Sequence, residues 1–290
     1  MIRVHSGDVD EYAANAGAFL AADPCARNVL LSVLDTVRAA PATYGAAPSF
    51  WWITDSTTVV GAATWTPPYG MLVSSLPDEA AAPLGMAAVA RASEMGIPLP
   101  GVNGPAASAR AVAAAIADVT GVAIERDRSI LLNELRSLTG VPLPEGARRT
   151  AGVADVPLIA TWLEAFSAEV QHPAPADPLA FADRMVRTDH YDLWIVDDRA
   201  VCLVGHHVAA GVVRIGPVYT PPESRNRGYA RRLTYEVTAQ ALAQPDIHHA
   251  MLFTDAANPV SNSIYRQAGY EPRDEHVEIE LGQRDRAAAP

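Results

Sequence analysis

The sequence contains no lysine: all 22 of its basic residues are arginine. Set against 33 acidic residues, they leave a formal net charge of −11. So acidic a chain lacks the broad basic face that general nucleic-acid binding requires. Cysteine is nearly absent as well. Cys25 and Cys202 stand far apart and form no C-x-x-C spacing. That argues against a disulfide scaffold and a zinc site, so no metal is expected, and it favours a reducing compartment. No apolar run approaches the roughly 20 residues needed to span a bilayer, and the opening MIRVHSGDVDEY has no apolar leader core. A soluble, cytoplasmic protein is expected, without membrane or nucleic-acid partners, its oligomeric state open.

What the chain does have is size and core-forming material. Its 290 residues are 49% hydrophobic, enough for one large domain or two ordinary ones. A weak internal repeat favours two. Asp8-Val9 followed by Ala18-Phe19 recurs as Asp155-Val156 followed by Ala165-Phe166, with the same internal spacing. WWITDSTTVVGAA (from Trp51) is matched by LWIVDDRAVCLVG (from Leu193) if two residues are inserted, and each reads as strand, polar turn, strand. The stretch TGVPLPEGARRTAG (from Thr139) has neither helical nor strand periodicity and reads as the joint. Domains over 1–148 and 149–290 follow.

The second half reads more finely. A helix is expected from Val156 to Val170, with Leu158, Ile159, Trp162, Leu163 and Phe166 on its apolar face, and another from Pro178 to Arg187. Strands at about 193–196, 200–209 and 212–219 come next. A helix running to Ala243 has Ala230, Leu233, Val237 and Ala241 as its inner stripe; the strand HAMLFTD, a helix over 260–267 and the alternating strand HVEIEL complete the order α-α-β-β-β-α-β-α-β.

Between the third of these strands and its helix lies TPPESRNRGYARRL, with Arg225, Arg227, Arg231 and Arg232 around Gly228. A helix N-terminus already carries about half a positive charge, so arginines there imply an anionic partner. The six residues Arg225-Asn226-Arg227-Gly228-Tyr229-Ala230 fit R-x-x-G-x-A. This resembles the pyrophosphate loop of the GCN5-related N-acetyltransferase (GNAT) superfamily, which cradles acetyl-coenzyme A. Downstream, TDAANPVSNSIYRQAGYEP resembles the same family's fifth-strand exit and following helix. The resemblance covers about residues 150–282 clearly and the first half faintly.

The resemblance implies an α/β (α+β) chain of two GNAT-like domains, each with a mixed, mostly antiparallel sheet flanked by helices. It implies an acetyl-CoA-dependent N-acetyltransferase acting directly on an amine. In that scheme Val218, Tyr219 and Thr220 face pantetheine along a splayed strand pair. Arg225, Asn226, Arg227, Gly228, Tyr229, Ala230 and Arg231 face the pyrophosphate, with Asn258 and Ser263 completing the cofactor contacts. Tyr265 is the general acid, although a phenol at this place on an amphipathic helix also reads as a core residue. The amine's base stays open among His206, His207, Glu169, His172, Glu223, Asp255 and a base acting through water. In the first half, Asp78-Glu79 stands at the corresponding helix start, and carboxylates there repel a pyrophosphate. That half is read as a degenerate repeat. A CoA-binding sensor without turnover, or an enzyme using a larger acyl-CoA, are the alternatives.

Overall fold

The structure, a computed structural model, describes residues 1–44, 47–171 and 174–282. Its elements fall into two runs of the same order. The first is β1 (Ile2–Gly7), α1 (Val9–Ala21), α2 (Asn28–Ala39), β2 (Ser49–Asp55), β3 (Thr58–Trp65), β4 (Met71–Val73), α3 (Asp78–Met95), β5 (Gly101–Pro105), α4 (Ala106–Thr120) and β6 (Ile124–Leu135). The second is β7 (Ala147–Thr150), α5 (Val156–Val170), α6 (Pro178–Arg187), β8 (Tyr191–Val196), β9 (Arg199–Ala209), β10 (Val212–Tyr219), α7 (Tyr229–Leu242), β11 (His249–Asp255), α8 (Pro259–Ala268) and β12 (Tyr270–Leu281). The repeat seen in the sequence is thus a repeat of elements. Asp8 and Asp155 both stand immediately before the first helix of their run.

Local chemistry explains most boundaries. Asp8 accepts from the N–H groups of Asp10 and Glu11, both at 2.9 Å, while Glu11 reaches back to the Asp8 N–H, forming a capping box. Proline follows the N-cap in α6 and α8, where its missing N–H costs nothing. The β8–β9 turn puts Asp197 and Asp198 at φ of 46° and 60°, the left-handed pair a two-residue hairpin demands. On α5 the buried residues include Ile159, Trp162 and Leu163, whereas Leu158 is exposed, one position outside the apolar stripe expected for it.

By contacts the chain divides into two units. The first comprises residues 1–132, 255–257 and 273–290. In its described part the strand order is β1-β2-β3-β4-β5-β12-β6, with β12 antiparallel to β5 (Ile279 opposite Val102). Val277, Ile279 and Leu281 enter a core with Trp65, Met71, Leu84, Val112 and Ile116. The second unit comprises residues 133–254 and 258–272, with strand order β6-β11-β10-β9-β8-β7. Here Trp194, Val213, Leu233, Val237 and Leu252 form the core under α7, and Trp162, Leu163, Leu193 and Tyr219 form another under α5. Each fully buried large apolar side chain contributes about 1.5–3 kcal/mol over leaving it in water.

This division runs differently from a cut of the chain after residue 148. Residues 133–148 lie with the second unit, and the residues of β12 from 273 onward lie with the first. The stretch expected to be an irregular joint also holds a strand, β7, which pairs antiparallel with β8 (Thr150 opposite Asp192). Its ARRT sequence is polar and mostly exposed, as suits a strand at the end of the sheet whose outer edge is unpaired.

Candidate functional site

Strands β10 and β11 run parallel and paired from Val212 opposite His249 to Ile215 opposite Leu252. Beyond that point they part, while β10 stays on β9, with a register shift between Ile215 and Val218. The edge of β10 over residues 218–219 therefore has no ladder partner on its β11 side. An unpaired strand edge in a protein interior invites an added strand or an extended ligand.

The gap opens into a cleft of about 600 Å3 within the second unit. Its lining includes residues 218–220 from β10 and its exit, 224–231 from the loop and first turn of α7, and Asn258 and Tyr265 from α8 and its cap. Every proposed cofactor contact except Ser263 lies on this lining. Ser263 is exposed, and its hydroxyl accepts at 3.1 Å from Nε2 of Gln267, which does line the cleft. Ser261, Val260 and Ile264 line it instead, and so does Glu169 from the end of α5.

The α7 N-terminus is left uncapped by side chains at the cleft. Gly228 is its N-cap, in the left-handed region at φ 83°, and no side chain caps the turn. Asn226 is also left-handed, at φ 63°. Alternating signs of φ in such a loop turn successive N–H groups towards one side. A Cβ built on Gly228 would meet only Arg231 Nη2, at 3.8 Å, so it would project into open cleft space rather than into protein. Arg227 is exposed and has no partner among the described residues, and Arg231 Nε is buried without one. Arg225 is held by its own loop, Nε donating to the Thr220 carbonyl at 2.9 Å, and it is ion-paired with Glu169. Arg232 turns away: it pairs with Glu236 at 2.7 Å and donates to the Val141 carbonyl at 3.2 Å. Ala230, expected on the inner stripe of α7, is half-buried and lines the cleft; Tyr229 is the buried residue of that turn, its hydroxyl 3.2 Å from Glu145.

Tyr265 comes from α8, whose start is fixed by Asn258 accepting from the Ser261 N–H at 3.1 Å. Its ring meets Tyr270 edge-on at 6.3 Å, and its hydroxyl has no partner among the described residues. Burial pushes the phenol well above its ordinary range, with the Cys202 thiol and Tyr270 adding to the shift. Cys202 is fully buried beneath Thr220, whose hydroxyl lies 3.3 Å from Sγ, and burial pushes this thiol up to about 12.

Of the candidate bases, only Glu169 lines the cleft. His206 lies near Asp192 (Nδ1 to Oδ2 3.6 Å) and His207 Nδ1 lies 3.1 Å from His190 Nε2, both away from the cleft. Glu223 is exposed and off the lining. Asp255 pairs with Arg128 at 3.1 Å in the first unit. His172 lies outside the described residues.

Residues 193–279 match a family model described as FR47-like protein. No curated protein matches the chain in sequence. Solved structures do match it along nearly its whole length. A GCN5-related N-acetyltransferase from Sphaerobacter thermophilus is 19% identical, covers 96% of this chain and 95% of its own, and superposes with a TM-score of 0.63. A tandem GNAT protein from the clavulanic acid biosynthesis pathway is 16% identical over 98% of this chain and 100% of its own, at 0.56. A Drosophila protein is 14% identical over 96% and 98%, at 0.67.

The chain has the GNAT fold. In the first run of elements, the GNAT helix that corresponds to α7 is α3. It starts at Asp78 after the N-cap Pro77, with Asp78 and Glu79 exposed in its first turn. The first turn of α3 carries two carboxylates and no arginine. No helix among the described residues is long and apolar enough to cross a membrane.

Proposed function

We propose that the chain is an acyl-CoA-dependent N-acyltransferase, with acetyl-CoA as donor and a small amine or exposed amino group as acceptor. The observation that carries this reading is the uncapped, arginine-flanked start of α7 opening onto the parted strands β10 and β11. The GNAT fold and the printed activity of the Sphaerobacter neighbour support it.

The free N–H groups of the α7 first turn, with Arg225, Arg227 and Arg231, hold the pyrophosphate. The open edge of β10 accepts the pantetheine amides as an added strand. A backbone N–H near Tyr219 polarises the thioester carbonyl. The amine nitrogen then bonds to the carbonyl carbon, the C–S bond breaks, and the thiolate takes the proton of Tyr265. The surplus amine proton leaves to Glu169 or through water, and the phenolate regains its proton from solvent.

The raised phenol pKa fits this step. Burial keeps the Tyr265 phenol protonated at neutral pH, so its proton is in place for the leaving thiolate, although a raised phenol is the weaker acid. The acidic net charge of −11 favours a cationic acceptor by long-range attraction. The test is a panel of amines with acetyl-CoA, read by released thiol. Turnover on at least one amine is expected; saturable CoA binding with no turnover on any would replace the enzyme with a CoA-binding sensor.

A further inference from the structure

A second cavity of about 410 Å3 lies in the same unit, against the C-terminal half of α7 and the β7–β8–β9 edge, and shares no lining residue with the first. Its lining includes Asp192, the only fully buried carboxylate among the described residues. The two oxygens of Asp192 are treated very differently. Oδ1 takes Arg148 Nε at 2.9 Å, Arg148 Nη2 at 2.8 Å and the Thr150 hydroxyl at 3.1 Å. Oδ2 is buried and accepts no hydrogen bond. His206 Nδ1, 3.6 Å from it, is buried without a hydrogen-bond partner too. At 3.6 Å the two atoms are too far apart to hydrogen-bond, and with the His206 proton on Nε2 both are acceptors that a single donor in the cavity would satisfy.

We propose that this cavity binds a small primary ammonium ion, which donates to Asp192 Oδ2 and to the ring nitrogen of His206. The charge balance excludes an anion: Asp189 and Asp192 face one guanidinium, and Arg148 is already spent on Asp192 and on Gln240 Oε1. A metal ion lacks ligands, because among the described residues no third His, Cys, Asp or Glu atom closes on this pair to coordinating distance. A quaternary ammonium has no N–H to give. Burial holds His206 below the ordinary histidine range; Asp192 and Asp189 oppose this, while His190 and Arg148 reinforce it. The ring is therefore neutral at pH 7, and an acceptor nitrogen is available.

The experiment compares propylammonium chloride with tetramethylammonium chloride at equal ionic strength, read by thermal shift and by the His206 ring resonance. Propylammonium stabilises the wild type saturably and moves that resonance; tetramethylammonium does neither. Asp192→Asn weakens the response by about tenfold or more, the usual worth of a charge-assisted hydrogen bond. Because that variant also disturbs the Arg148 pair, a second one fills the rim from the exposed side: Val208→Phe, at a position 44% exposed on β9, abolishes the response and leaves acetyl-CoA binding intact. Identical responses to the two salts, or a full propylammonium response in Val208→Phe, overturn the proposal. In that event His206 and Asp192 form a closed structural pair.

Discussion

Arg225 and Glu169 form an ion pair across the cleft, joining the α7 loop to the end of α5. Both side chains are partly exposed, at 41% and 47%. A carboxylate here occupies the arginine that a pyrophosphate would use, so the two anions compete. Removing the carboxylate charge by Glu169→Gln is expected to tighten acetyl-CoA binding up to about fivefold, since exposed pairs are worth about 0–1 kcal/mol. Removing the guanidinium by Arg225→Ala is expected to weaken it about tenfold or more, one charge-assisted bond being worth roughly 1.5–3 kcal/mol. Calorimetry on both variants reads the two signs; a loss of affinity in Glu169→Gln contradicts the competition.

Gly228 offers a separation of fold from binding. An added side chain there points into the cleft, with Arg231 as its nearest protein neighbour at 3.8 Å, and must adopt φ 83°. The backbone strain costs about 1–3 kcal/mol of stability. Gly228→Val is therefore expected to stay folded, melt somewhat lower, and lose acetyl-CoA affinity well beyond its loss of stability. A titration at a temperature where circular dichroism is native checks this.

Tyr265→Phe keeps the ring against Tyr270 and removes only the proton. A drop in kcat of about 10²–10⁴ with nearly unchanged acetyl-CoA affinity is expected, the usual worth of a positioned acid. Because burial raises the phenol, wild-type activity is not expected to fall near pH 10, where an ordinary tyrosine ionises. A wild-type rate in the variant makes Tyr265 a core residue, the alternative its helix position already admits.

How much of this was readable in advance differs from element to element. The bounds of α5 and α6 follow from 3.6-residue periodicity and from proline near each start, and the arginine loop stands out by charge alone. The partner of β12 does not. Val277, Ile279 and Leu281 alternate, which says that one face is buried but not beside which strand, and the structure sets them beside β5 in the first unit. Ser263 lies off the cleft lining, although its hydrogen-bond partner Gln267 lies on it. Ser261, four residues before Tyr265, shares its helix face and lines the cleft with it. The parting of β10 from β11 has no sequence signature that period-2 reading detects.

Stability should fall on acidification. His207 is pushed down to about 4, first by burial and then by Arg214, His190 and His206, whereas in the unfolded chain it titrates near 6.5. Between those values the unfolded chain binds the proton and the folded one does not, so stability present above pH 6.5 is lost as pH drops towards 4. The melting temperature is expected to decline through that window, and His207→Gln to flatten the slope. An unchanged slope places the acid sensitivity elsewhere.

The most direct test of the account is the stoichiometry of acetyl-CoA on the intact chain. Residues 225–231 line the cleft at the uncapped start of α7, while Asp78 and Glu79 stand at the start of α3. Isothermal titration is predicted to give one acetyl-CoA per chain, with that binding lost in Gly228→Val. Two molecules per chain, or one whose affinity Gly228→Val leaves untouched, would contradict it.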